Sequence, residues 1–215
     1  MPLGNLEDRF KASLINGGKA MAANAEMTGR RGIGRWRILG WGMAIGLIML
    51  PLVAMQFTSD VNWTPSDFVA AALMIGLTGG ALELAVRVTA NRWAQAGAAA
   101  VILTSFLLVW VNFAVGFLGS EGNPANILFL LVIGIAVGGS IATRLRPVAM
   151  VRTTLAAAMA QVAVAGIGLA AGWASPGWDG IYEVAIGSTL FGGLWLVAAA
   201  LFRIAARNEP ANSKA

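Results

Sequence analysis

The sequence predicts an all-α integral membrane protein, a six-transmembrane-helix bundle with both termini cytoplasmic, and three observations predict it. The 215 residues are 58% hydrophobic and only 12% charged, with a mean hydropathy of +0.73, well outside the range of soluble globular domains. Six continuous apolar runs can be cut, at 38–57, 68–86, 94–118, 126–143, 153–173 and 181–202. Finally, one threading of these runs places all fifteen Lys and Arg on a single side of the membrane, as expected when basic loops are retained in the cytoplasm.

Each run has 18 to 25 residues, enough to cross roughly 30 Å of hydrocarbon as helix. The runs do not alternate with period two, which excludes the strands of a membrane barrel. The first run follows a tail, 1–37, that carries Arg9, Lys11, Lys19, Arg30, Arg31, Arg35 and Arg37. It is too long for a signal-peptide core and reads as a retained span. Within the tail Leu6, Phe10 and Leu14 recur at four-residue spacing, the pattern of a short amphipathic helix lying on the leaflet.

The remaining basic residues are Arg87 and Arg92 in the second inner loop, then Arg144, Arg146 and Arg152, then Arg203, Arg207 and Lys214 in a C-terminal tail, 203–215. Asp60, Asp67, Glu121, Asp179 and Glu183 fall on the other side. The sequence pI of about 10.7 therefore reflects orientation and contact with anionic lipid, not a continuous basic face for nucleic acid.

Helix starts are signalled in the outer loops. Thr64-Pro65, Asn123-Pro124 and Ser175-Pro176 each place a capping side chain before a proline, whose missing N–H costs nothing at the first helical position. Asp67 completes a capping box with Thr64. Acidic and basic positions recur near a 59-residue spacing, although any three hairpins crossing one bilayer acquire nearly equal spacing. Four spans contain GxxxG (Gly42/Gly46, Gly76/Gly80, Gly134/Gly138 and Gly168/Gly172), and these faces are expected to pack the six helices against one another. Trp195 stands mid-span, where packing is expected of it.

The chain has no Cys and no His. That removes disulfides, the commonest ligands of zinc, copper and haem iron, and the commonest general base. No phosphate loop, nucleotide fingerprint or nucleophilic triad is visible, so no cofactor, resident metal or catalytic residue is expected. The polar residues that call for an explanation are Glu83, Asn112 and Gln161 within spans. Glu83 lies one turn before Arg87, the spacing of a helical ion pair. Asn112 and Gln161 fall at different depths, suited to hydrogen bonds between helices. On the outer face Asp60, Asn62, Glu121 and Asn123, joined by Asn126, form a possible oxygen-rich vestibule for a hard cation, against a solvated acidic rim as the default.

The stretches LPLVAMQFTSDVNWTPSDF (50–68) and FLLVWVNFAVGFLGSEGNPANILF (106–129) resemble a family of small bacterial inner-membrane proteins. The resemblance implies a bacterial inner membrane and brings no activity, substrate or site residue. The expected role is a non-enzymatic accessory or scaffold component whose partners are the bilayer and a second membrane protein or another copy of the chain. The alternative is a small-solute or ion transporter built on Glu83, with the acidic outer face as its entrance.

Overall fold

A computed structural model of the chain describes residues 13, 14, 16–18, 34, 37–59, 61–120 and 122–208. Among them there are six helices long and apolar enough to span a membrane and no strand. They are α1 (Arg37–Ala54), α2 (Pro65–Val88), α3 (Arg92–Ala114), α4 (Phe129–Thr143) taken together with the 3-10 turn, Pro124–Leu128, that leads into it, α5 (Pro147–Ala170) and α6 (Trp178–Arg207). The chain divides into two compact units, Met1–Ile75 and Gly76–Ala215. Most of the amphipathic stretch expected over Leu6, Phe10 and Leu14 lies outside the described residues.

In the first unit the start of α2 shows the Asp67 half of the capping box read from the sequence. The Thr64 backbone N–H donates to Asp67 Oδ2 at 2.7 Å and its hydroxyl to the same oxygen at 2.8 Å. Trp63, the residue before the cap, meets Phe68 edge-on with ring centroids 5.2 Å apart. This hydrophobic staple fixes the entry angle of the chain.

In the second unit α5 and α6 share the largest interface, and α3 packs on α6 and α4 on α5. The core runs through these four helices, with Phe129, Leu108, Met150, Trp195 and Phe202 all wholly buried. Glycines set the closest approaches. A Cβ on Gly97 would stand 2.9 Å from the Phe202 ring, one on Gly139 would collide with Thr153, and one on Gly168 with Leu118.

Two predicted span ends move for identifiable reasons. The third helix stops at Ala114, four residues short of the predicted 118, because Gly116 adopts φ 76°, a conformation open mainly to glycine. The chain then doubles back, and Phe117 and Leu118 enter the end of the bundle as a buried plug. Phe117 lies against Phe129 and Phe191, with centroids 4.5 and 5.7 Å away. The fifth helix begins at Pro147, not 153, because proline suits a first turn. A tight left-handed turn at Arg144 and Leu145 (φ 49° and 57°) brings it there.

The sixth helix continues through Arg207, so the C-terminal tail starts later than the predicted 203. The Ser175-Pro176 start signal also fails. α6 begins at Trp178, its N-cap Gly177 has φ 87° and makes no side-chain cap bond, and the Ser175 hydroxyl instead donates to the Gly119 carbonyl at 3.2 Å.

The GxxxG expectation needs the largest correction. Among the described residues, Gly168 alone of these eight glycines meets a neighbour in its own unit. For Gly42 and Gly46, Gly76 and Gly80, and Gly134 and Gly138, no atom of a described residue of the glycine's own unit lies within 4 Å of where a Cβ would stand. Spacing along a helix marks a smooth face, and whether the face is used depends on which way the helix turns in the fold.

Candidate functional site

Glu83 belongs to the last two turns of α2. Its Oε1 accepts a hydrogen bond from Arg87 Nη2 at 3.1 Å, the i,i+4 ion pair expected from the spacing. Both residues line a shallow groove with Gly80 and Leu84, all on the same helix. The Arg87 side chain is 65% exposed and that of Glu83 25%. A carboxylate so placed faces the flank of its helix and sits beside a guanidinium that can reach the headgroups.

The outer-face candidates are divided between the two units and the residues outside the description. Asp60 and Glu121 lie outside the described residues. Asn62, in the first unit, is exposed. Asn123, in the second, is committed to structure: its Oδ1 accepts from the Ala125 N–H at 3.0 Å, capping the 3-10 turn, and its Nδ2 donates to the Trp173 carbonyl at 3.1 Å. Asn126 is committed more deeply. Its Oδ1 accepts from the N–H groups of Phe117 and Leu118 at 2.9 and 2.7 Å, and its Nδ2 donates to the Ser120 carbonyl at 2.7 Å. These amides hold the plug and tie the α3–α4 loop to the α5–α6 loop. Among the described residues no group of three or more acidic side chains comes together as a metal site would require.

The intramembrane amides lead into the core of the second unit. Asn112 Nδ2 donates to the Leu108 carbonyl one turn back at 2.7 Å, leaving its Oδ1 buried without a partner. Gln161 is wholly buried, and neither atom of its carboxamide has a partner. Ser188 Oγ and Trp195 Nε1, both on α6, are buried and unpartnered as well.

The depths of these groups follow from the packing contacts. Phe117 and Leu118 are consecutive, and they meet Gly187 and Gly168 respectively, so those two glycines stand level on α6 and α5. Two helical turns, about 10 Å, separate Gly168 from Gln161 and Gly187 from Leu194. Gln161 therefore stands level with Leu194 and Trp195. From the other end Gly97 meets Phe202, and seven residues along each helix give Thr104 and Trp195. Thr104, Gln161 and Trp195 thus share one layer at mid-bundle, and Asn112 and Ser188 occupy the next layer toward the plug. By this register Asn112 stands about two helical turns nearer the plug than Gln161.

No family model, curated protein or solved structure matches this chain. The site is therefore defined by its own chemistry, which is neutral and hydrogen-bonding throughout: two carboxamides, hydroxyls and an indole N–H. The sequence marks Asn112 and Gln161 as polar residues within spans, whereas Ser188 does not stand out there and Trp195 is expected to pack. The signal was the seven-residue step, since Thr154, Gln161 and Gly168 form one buried stripe of α5, and Ser188, Trp195 and Phe202 one of α6.

Proposed function

We propose that the chain is a non-enzymatic accessory or scaffold component of a membrane assembly, resident in a bacterial inner membrane with both termini cytoplasmic. The observation that carries this reading is the set of small-residue faces at Gly42/Gly46, Gly76/Gly80 and Gly134/Gly138, which meet no neighbour among the described residues of their own units. In lipid, helix association rests on van der Waals contact along such faces, because apolar burial alone gives little drive. A face this smooth suits a second membrane helix.

The pairing of Glu83 with Arg87 supports the same reading over transport. A transporter built on Glu83 needs that carboxylate in a wet cavity between helices, whereas the described residues that line its groove all belong to α2. The orientation rests on the fifteen basic residues, and the bacterial membrane on the resemblance of 50–68 and 106–129 to small bacterial membrane proteins.

Purification from native membranes in mild detergent, followed by mass spectrometry, tests the assignment. A stoichiometric membrane-protein partner or a defined homo-oligomer is expected. Recovery of the chain as a lone monomer under those conditions refutes it.

A further inference from the structure

Gly192 adds a second observation to the orphaned polar atoms. It is buried on α6, yet a Cβ built on it meets nothing within 4 Å. Buried glycines elsewhere in the unit are buried because a neighbour fills their space, as Phe202 fills that of Gly97 and Leu118 that of Gly168. Gly192 instead borders open room inside the bundle. It lies one turn from Ser188 on one side and one turn from Trp195 on the other, on the face that carries both. By the register set above, it stands within about two residues' rise of Gln161.

We propose that the α5–α6 core binds water in the space beside Gly192, held by Gln161 and Trp195. Size and chemistry select this ligand. The room is that of a missing side chain, and a buried water needs about this volume with two to four polar partners. The indole N–H of Trp195 offers a donor, the Gln161 carboxamide offers both a donor and an acceptor, and Ser188 Oγ one turn away offers either. Water can satisfy all of these at once. No direct pairing does so, because an indole N–H donated to Gln161 Oε1 still leaves the Gln161 amino group unmet. A charged ligand is excluded, since the layer contains no charge to compensate its desolvation. Toward the plug, Ser188 Oγ and Asn112 Oδ1 continue the row of orphaned atoms, and Phe117 and Leu118 seal it. This inference stands independently of the assembly role.

Hydroxyl-radical footprinting of the full chain in lipid nanodiscs, with radicals generated by X-ray radiolysis, tests it, because a buried side chain is oxidised when bound water lies against it. Trp195 is wholly buried, whereas Trp173 and Trp178 are exposed and report whether the fold is intact. Oxidation of Trp195 is expected in the wild type. G192A places a methyl in the open space without meeting any atom, and Q161M keeps the volume while removing the hydrogen bonds. Each should lower Trp195 oxidation at least five-fold with Trp173 and Trp178 unchanged. If Q161M fails to fold, G192A decides alone. The proposal is overturned if Trp195 is not oxidised in the wild type, or if its oxidation is unchanged in G192A or in folded Q161M.

Discussion

Replacing Asn126 by alanine should destabilise the second unit by about 3 kcal/mol, with no change in the membrane spans themselves. Asn126 accepts from two backbone N–H groups, those of Phe117 and Leu118, and donates to the Ser120 carbonyl. Phe117 and Leu118 are 7% and 0% exposed, so their freed donors have little access to water. Each unsatisfied buried donor costs about 1–3 kcal/mol. Two of them at the middle of the lower half of that range give the stated figure, with the Ser120 carbonyl left to solvent. Asn123 is the natural comparison, because its amide also caps a turn and bridges two loops, but in half-exposed surroundings. N123A should cost about 1 kcal/mol, the usual loss for a cap. Equilibrium unfolding in mixed micelles of increasing SDS content measures both. If N126A costs no more than N123A, the plug is not held by the Asn126 amide and the account of the α3–α4 loop is wrong.

G97A should destabilise by about 1–3 kcal/mol in the same assay, because its Cβ would stand 2.9 Å from the buried Phe202 ring and the core must shift to admit it. The double variant G134A/G138A should instead leave stability unchanged or raise it by up to about 2 kcal/mol, from helix propensity alone, while lowering recovery of the co-purifying partner. R87Q should cost less than about 0.5 kcal/mol, since its pair with Glu83 is largely exposed on the arginine side. For orientation, a green fluorescent protein fused after Ala215 should fluoresce and an alkaline phosphatase fused at Gly122 should be active; the opposite pair of results reverses the topology.

The spans were legible because hydropathy is summed over about twenty residues, and an error of a few positions does not erase such a signal. Their ends were legible where a side chain acts locally. Thr64 and Asp67 form the cap their spacing implies, and Asn123 caps the turn after it. The plug was not legible, because Phe117 and Leu118 extend an apolar run and hydropathy carries no record of a reversal in direction. Gly116 and Gly119, with φ of 76° and 78°, were the marks of that reversal. Asn126 looked like an oxygen ligand because the chemistry that suits a cation also suits two backbone N–H groups. Ser175 looked like a cap, and its hydroxyl was taken by a loop distant in sequence. Tertiary partners of this kind compete with local ones, and nothing in the neighbouring residues shows which will prevail.

The glycines separate what folds the chain from what the fold leaves available. Gly97, Gly139, Gly168 and Gly187 sit where another element presses within van der Waals distance, so close packing offsets their poor helix propensity. Gly134 and Gly138 on α4 have no such return within their unit, and each costs close to 1 kcal/mol relative to alanine in a helix interior. A soluble protein could hold such residues on a wet face at little consequence. In a bilayer the same positions would leave a smooth strip along the helix, and alanine would serve a lipid contact as well and the helix better. What distinguishes glycine there is how near another helix backbone can come. The faces that contribute nothing to the stability of their own unit are therefore the ones whose chemistry is suited to an incoming helix, and the double alanine variant separates that role from a neutral one.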